Sequence, residues 1–272
     1  MFMKKIILFI CVSAFVFSSC IKEEDKTPQT PDTPPQEDLT MQIHVYPSTA
    51  QVVANALSDI DGNVYDAVQI GEQLWMAENL RATHYADGTE IPLGDSTILG
   101  VAYRYLPNGS EDNVGTCGYL YNYAAAVENG TSGGATVMQG VCPEGWHVPS
   151  DAEWTQLTDY VSSQSDFVVG NDPQFIAKAL ASTTGWRSSN NAYAVGNDKN
   201  LNNATGFSTL PAGSFYNNVY TYFNYTANFW TSTEVNATSA WIRSLYYGNP
   251  KVLRYGYSGN KSGAYSVRCL QD

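Results

Sequence analysis

Apolar and polar residues alternate with a period of two in a segment that follows a turn signal. The turn is DIDGN at residues 59–63, and the alternation runs through residues 63–70 to Gly71-Glu72, which the segment QLWMA follows at 73–77. Such alternation predicts a half-buried strand, and a glycine-containing turn between two such runs predicts a hairpin. We therefore predict two short strands around a tight turn.

Two later segments carry a helical period. The sequence SDAE at 150–153 is a capping box, and the apolar residues after it recur at helical spacing, which predicts a helix over residues 151–162. Asp-Pro at 172–173 is an N-cap and N1 pair that predicts a second helix, which Gly185 ends. Segment 119–127 predicts a strand that passes into a short helix.

From Gly206 to the end no helical period is present. Strand-like runs alternate with Gly, Asn and Pro turns, and the runs are FSTLP, NFWTST, AWIRSLYY, KVLRYGY and AYSVRCL. This pattern predicts antiparallel strands. The fold class expected is α+β, with two helices, antiparallel strands, and a C-terminal half made mostly of strands and loops. Residues 41–58 form a bridging segment for which the pattern indicates no definite element.

The N-terminal residues have the pattern of an export signal. Two lysines precede a twelve-residue run at 6–17 that is apolar except for Ser13, and Ser-Ser-Cys follows at 18–20. The arrangement resembles the lipobox of bacterial lipoproteins, which implies a signal peptide over residues 1–19 and lipid attachment to the thiol of Cys20. An ordinary signal peptide with an incidental cysteine is the alternative.

Residues 20–40 have the composition of a solvated tether. Segment 21–40 holds four prolines and six acidic residues and no aromatic residue, so it cannot bury enough apolar surface to fold. Its first residues also resemble the Lys-(Asp/Glu)₂ export signal of surface lipoproteins in Bacteroidota-type bacteria. We therefore expect an outer-membrane protein that faces the cell exterior and contacts the membrane only through its lipid.

Charge and motif content narrow the function classes. The 272 residues include 26 acidic and 14 basic ones, a net charge of −12, and this argues against a nucleic-acid partner. The histidines His44, His84 and His147 have no metal-ligand spacing, and no cofactor motif is present, so we expect no metal and no cofactor. His147, beside a helix cap, is predicted to be a hydrogen-bonded structural residue. No catalytic constellation can be defended, and we expect a protein that is not an enzyme.

Seven ordered blocks resemble one known family. They are DGNVYDAVQIGEQLWMAENLR, YLYNYAAA, GVCPEGWHVPSDAEW, KALASTTGW, NATGFSTLPAG, NFWTST and GAYSVRC. Together they resemble the Fibrobacter succinogenes major paralogous domain family (FISUMP) over residues 59–272. The resemblance implies a C-type-lectin-like fold related to the formylglycine-generating enzymes, with no established reaction. Those enzymes use a reactive cysteine pair near the C-terminal half, where this chain has only Cys269, so their activity is not carried over.

The same blocks suggest a disulfide. Cys142 lies in CPEGWHVPS and Cys269 in SVRC, the two most distinctive blocks, and exported proteins can keep disulfides. We predict a bond between these two residues, and we predict that Cys117 is a buried free thiol.

Residues 215–265 are rich in aromatic and amide side chains, with nine tyrosines and seven asparagines. Tyr and Asn with little charge are typical of adaptable binding surfaces. We predict that the core side of the last hairpin includes Trp241, Val252 and Leu253. The predicted ligand-binding residues are Tyr246, Tyr247, Asn249, Tyr255, Tyr257, Asn260 and Lys261. The alternative is that these tyrosines cover the edge of the core, with binding in the loops around 185–203.

The sequence therefore favours a surface-anchored, non-enzymatic recognition or adhesion lipoprotein whose partner is a glycan or a protein. One alternative is a structural component of the cell envelope or a pilus tip. The other is an enzyme of the formylglycine-generating type or a glycan-active enzyme.

Overall fold

The alternating segment forms the predicted hairpin. The computed structural model describes residues 50–128, 137–256 and 259–272; within it β2 spans Val64–Ile70 and β3 spans Gln73–Met76. The two strands are antiparallel, and Gly71 in the turn has a φ of +61°, which glycine adopts without steric cost. The prediction of two strands around a tight turn is confirmed.

A strand from the bridging segment extends this hairpin into a sheet. β1 spans Gln51–Ser58 and pairs antiparallel with β2, so this part of residues 41–58 belongs to the fold. At the other side β13 (Leu270–Gln271) lies between β3 and β6 (Trp146–His147). A strand from near the C-terminus thus joins the β2–β3 hairpin to β6 in the same sheet.

Two further sheets complete the β structure of the described residues. The second sheet has the strand order β4-β5-β12-β7-β8, and these strands span Arg104–Tyr105, Leu120–Asn122, Ala264–Tyr265, Ser214–Tyr216 and Val219–Thr221. The third sheet has the order β11-β10-β9, and these strands span Leu253–Tyr255, Ser239–Tyr246 and Thr226–Asn236. All pairings between these strands are antiparallel.

The helices are few and short. α1 spans Val114–Cys117, α2 spans Asp151–Ser163 and α3 spans Ala177–Leu180. The capping box is present at α2: Ser150 Oγ accepts from the amide of Glu153, whose carboxylate accepts from the amide of Ser150. A π-helical turn at Ala124–Glu128 follows β5, as expected for segment 119–127. In the part of the chain that the structure describes, no helix is long and apolar enough to cross a membrane.

The prediction of a long second helix is wrong. Asp172 closes a local turn instead, because its Oδ1 accepts from the amide of Gln174 at 2.9 Å and its carbonyl accepts from Phe175. Only Ala177–Leu180 is helical, and all four of its residues are buried. The apolar spacing therefore reflects burial on several sides of a single turn.

The strand-like runs near the C-terminus are confirmed in part. NFWTST and AWIRSLYY lie in β9 and β10, whereas KVLRYGY and AYSVRCL contain strands of only two or three residues. FSTLP is not a strand: it makes one isolated bridge, Thr209 with Ala181, and Ser208 has a φ of +54°. Its side chains are buried in loop conformation.

The predicted disulfide is present between Cys142 and Cys269, which lie 5.9 Å apart at Cα. It joins the loop before β6 to the residue before β13. Cys117 is a buried free cysteine, as predicted, and burial raises the pKa of its thiol to about 12. The coarse α+β assignment and the cysteine pairing thus agree with the structure.

Candidate functional site

A groove of about 770 Å³ lies between the third sheet and the β7–β8 hairpin. We call it the tyrosine groove. Its sheet side is lined by Thr226, Asn228, Ile242, Ser244, Tyr246, Leu253 and Tyr255. The opposite side and the ends are lined by Ser214, Tyr216, Thr221, Tyr222, Asn249, Asn260 and Tyr265. Its volume falls in the range of small-ligand sites.

Strand register explains the sheet side of the groove. Asn228, Ser244 and Leu253 are neighbours across β9, β10 and β11, and Tyr246 lies opposite Thr226. Because side chains alternate between the two faces of a strand, every second residue of each strand reaches the groove. The intervening residue Leu245 is fully buried in the core on the other face.

The β7–β8 hairpin is attached closely to β9 and forms the other wall. Gly213, which precedes β7, donates its amide to the carbonyl of Thr226 at 2.9 Å. It has a φ of +73°, and a Cβ at this position would lie 2.5 Å from the carbonyl oxygen of Thr221. Only glycine fits this close approach without a backbone shift.

Polar side chains at the bottom of the groove are fixed by one another. Ser244 Oγ donates to Asn228 Oδ1 at 2.8 Å, and Asn228 Nδ2 donates to Thr226 Oγ1 at 3.1 Å. Ser214 and Thr221 share a hydrogen bond of 3.0 Å between their hydroxyls on the opposite wall. These bonds hold the lining in one arrangement before any ligand arrives, which reduces the entropy lost on binding.

Tyrosine side chains at the mouth of the groove are open to solvent. Tyr222 is 63% exposed, Tyr255 41%, and Tyr216 and Tyr246 are each 37% exposed. The rings of Tyr246 and Tyr247 meet edge to face with centroids 4.7 Å apart. A hydrogen bond with Tyr247 raises the pKa of Tyr246, so the Tyr246 hydroxyl stays protonated at neutral pH.

Four of the seven predicted binding residues line the tyrosine groove; they are Tyr246, Asn249, Tyr255 and Asn260. Tyr247 lies beside it, half-buried against Tyr246 and Tyr225. Tyr257 lies outside the described residues. The expectation that Lys261 rims the surface is wrong: its side chain is buried and its ammonium donates to Glu234 Oε1 at 2.6 Å.

The expected core contacts of the last hairpin are also partly wrong. Val252 packs against the core as predicted, but Leu253 faces the groove. Trp241 is half-buried beneath Arg254, whose guanidinium carbon lies 3.4 Å from the indole centroid. Leu245 and Ile242 supply the buried contacts instead.

Several groove residues were not singled out from the sequence. They belong to the Tyr- and Asn-rich segment 215–265, so the composition of that segment is the sequence feature that points to them; they are Tyr216, Tyr222, Asn228 and Tyr265. Nothing local indicates that the β7–β8 hairpin folds over the third sheet.

His147 is a hydrogen-bonded residue, as predicted, and it lies in a cluster of titratable side chains. His147 is buried, with Nδ1 2.8 Å from Asp272 Oδ1 and Nε2 3.0 Å from Glu153 Oε1. Burial alone lowers the pKa of His147, but the hydrogen bonds to the two carboxylates outweigh it and raise the pKa. Burial acts to raise the pKa of the Glu153 carboxyl, yet the hydrogen bonds with His147 and Ser150 lower this pKa to about 2. The cluster ties the last residue of the chain to the start of α2.

Within residues 50–128, 137–256 and 259–272, no group of three or more His, Cys, Asp or Glu residues is placed to hold a metal ion. The DIDGN segment forms a turn, in which Asp59 Oδ1 accepts from the amide of Asn63 at 2.9 Å.

Comparison with known proteins gives a match at the level of a protein family. No curated protein matches the chain, and no solved structure does. The sequence profile described as the Fibrobacter succinogenes major domain matches residues 68–271, from β2 to the last strand. That span is well over half of the sequence, and the chain therefore belongs to the Fibrobacter succinogenes major domain family.

Proposed function

We propose that this protein is a surface-anchored, non-enzymatic recognition or adhesion lipoprotein, and that the tyrosine groove binds its ligand, a glycan or a protein. The observation that carries this proposal is the concentration of exposed tyrosines and amide side chains around one preformed groove. Tyr gives a large contact area at low conformational cost, and Asn, Ser and Thr give adaptable hydrogen bonds. Recognition surfaces combine an aromatic centre with a polar rim.

The lining supports binding more than catalysis. None of the described groove residues is Asp, Glu, His, Lys or Cys, so the serine, threonine and tyrosine hydroxyls of the lining have no base beside them that would activate them as nucleophiles. A structural component of the cell envelope or a pilus tip would need a strand that it donates to a partner, and residues 41–58 are the candidate segment for this strand. β1 from that segment pairs with β2 of its own chain, which favours recognition over that alternative.

The N-terminal features support an anchored location. The signal pattern ends at Cys20, and the acidic Pro-rich tether of 20–40 would hold the groove away from the membrane. We further propose that the α+β arrangement is C-type-lectin-like, supported by β13 pairing with β3 so that the two ends of the domain meet.

The test uses cells that produce the wild-type chain, the Cys20→Ala variant, or the groove variant Tyr222→Asn. Tyr193→Asn is the matched control, because Tyr193 is 47% exposed, lies away from the groove, and has a φ of +63° close to the +60° of Tyr222. Asn tolerates this backbone conformation. We expect protease added to intact cells to digest the wild-type chain, because the chain faces the cell exterior. We also expect Tyr222→Asn to reduce the adherence of cells to glycan- and protein-coated surfaces, whereas Tyr193→Asn leaves adherence unchanged. Equal adherence of wild type and Tyr222→Asn would contradict the proposal.

A further inference from the structure

Charged side chains are kept out of the tyrosine groove, although the chain is strongly acidic. From Met41 onward the sequence contains twenty acidic and ten basic residues, yet no ionisable residue other than tyrosine lines the groove in the described chain. The groove lining is therefore uncharged, although the domain around it carries a net negative charge.

Strand alternation keeps the two nearest arginines away. Arg243 on β10 and Arg254 on β11 both point to the opposite face of the third sheet, where they bind the carboxylate of Asp151 at 2.8 and 2.7 Å. Burial acts to raise the pKa of Asp151, but the two arginines lower it overall, so the carboxylate stays ionised. Lys261 is held by Glu234, as described above. None of these three cations lines the groove in the part of the chain that the structure describes.

A lining without charged side chains offers no opposite charge to an ionised ligand. A carboxylate or sulfate taken from water is best paired with a cation, and an unpaired buried charge is strongly unfavourable. A calcium-bridged ligand is also unsuited, because calcium requires six to eight oxygen ligands, usually including carboxylates. The groove offers none of these carboxylates.

The groove instead offers neutral hydrogen-bonding groups beside aromatic faces. Asn249 Oδ1 accepts from the amide of Lys251, and Asn260 Oδ1 accepts from the amide of Ser262. Both side-chain Nδ2 groups have no hydrogen-bond partner among the described residues, so their donors are free for a ligand. The hydroxyls of Tyr222 and Tyr255 at the mouth can both donate and accept.

These features fit a molecule with uncharged hydroxyls along its edges and apolar C–H faces between them. Sugar rings have this chemistry: the faces pack on tyrosine rings and the hydroxyls pair with amides and phenols. Resting on the proposed function, we infer that the tyrosine groove binds an uncharged glycan, without calcium.

The experiment uses the chain from residue 21 onward preceded by Ala in place of Cys20, so that every described residue is present. Binding is measured by calorimetry and on an array carrying matched pairs that differ in charge: lactose with sialyllactose, and methyl-esterified with free oligogalacturonate. A panel of neutral glucan, mannan, xylan and galactan oligosaccharides is included. Each measurement is repeated in EDTA.

We expect a neutral glycan to bind at least tenfold tighter than its acidic counterpart, with less than a twofold change in EDTA. Tyr222→Asn should weaken binding at least tenfold. Asn249→Asp keeps the turn acceptor but replaces the free donor by a carboxylate, and it should have a similar effect. The control Tyr193→Asn should stay within twofold of wild type.

Preferential binding of the acidic partners, loss of binding in EDTA, or no neutral glycan bound at millimolar concentration would overturn the inference. If an acidic glycan or a protein binds and Tyr222→Asn abolishes that binding, the neutral-glycan inference fails while the proposed recognition function stands. If the groove variants leave all binding and cell adherence unchanged, both fail.

Discussion

Removal of the Cys142–Cys269 disulfide should strongly destabilise the domain. The bond spans 127 positions of the sequence, and both side chains are fully buried. In the chain-entropy model a loop of this length restricts the unfolded chain by about 5 kcal/mol. Because whole domains are stable by about 5–15 kcal/mol, the variant Cys142→Ala/Cys269→Ala should lose about a third or more of the stability of the fold.

Urea unfolding, followed by tryptophan fluorescence and circular dichroism, measures this loss. The comparison includes oxidised wild type, the double variant, and wild type reduced before unfolding, which keeps both sulfur atoms. Cys117→Ala is the control, since it removes a buried cysteine that forms no disulfide. We expect a loss of about 4–5 kcal/mol in both bond-free forms, and a further loss in the double variant from the missing packing.

A loss below about 2 kcal/mol in the reduced wild type would refute the entropic reasoning. It would mean either that the reduced chain retains structure around β6 and β13 when unfolded, or that the bond is absent from the mature protein. Peptide mapping without reduction separates these two explanations.

The remaining predictions concern the anchor, pH and the buried arginine. Cys20→Ala should move the protein from the membrane to the soluble fraction, and unchanged partitioning would contradict lipid attachment. The raised pKa of His147 means that its bonds to Glu153 and Asp272 stabilise the fold fully below about pH 6.5, its unfolded value, and less as pH rises through the folded value. Wild type should therefore lose stability relative to His147→Gln as pH rises above 6.5 in thermal unfolding, and parallel curves would exclude this linkage. Arg268 is 1% exposed and donates to Asn79 Oδ1 at 2.8 Å. Arg268→Met leaves this buried acceptor without its donor and should lower the free energy of unfolding in urea by about 3 kcal/mol or more. A decrease of less than about 1 kcal/mol would show that the acceptor finds another partner.

Features that depend on neighbouring residues could be predicted from the sequence. The β2–β3 hairpin follows from alternation around Gly71, and the start of α2 follows from Ser150 and Glu153, which bond to each other in the structure. The tyrosines of β10 and β11 could be assigned to a surface because the hairpin is local. In each case the determining contacts lie within a few residues.

Features that depend on distant contacts could not be predicted. Lys261 carries the charge of a surface residue, but it is buried because Glu234, twenty-seven residues earlier, pairs with it. The sequence predicts a second helix that is too long, because the buried residues of Ala177–Leu180 give the apolar spacing that is typical of a longer helix. Tyr222 reaches the groove only because the β7–β8 hairpin folds over β9, which no short pattern in the sequence specifies.

The central claim is that ligand recognition takes place in the tyrosine groove. Fluorine NMR of the chain labelled with 3-fluorotyrosine tests it most directly, with resonances assigned by single Tyr→Phe variants and the neutral oligosaccharide panel as probe. We predict that binding shifts the resonances of Tyr222, Tyr246 and Tyr255, while those of Tyr160 and Tyr193, which are also exposed but lie elsewhere, stay in place. Shifts confined to Tyr160 or Tyr193, or no shift at any groove tyrosine at saturating probe, would contradict the claim.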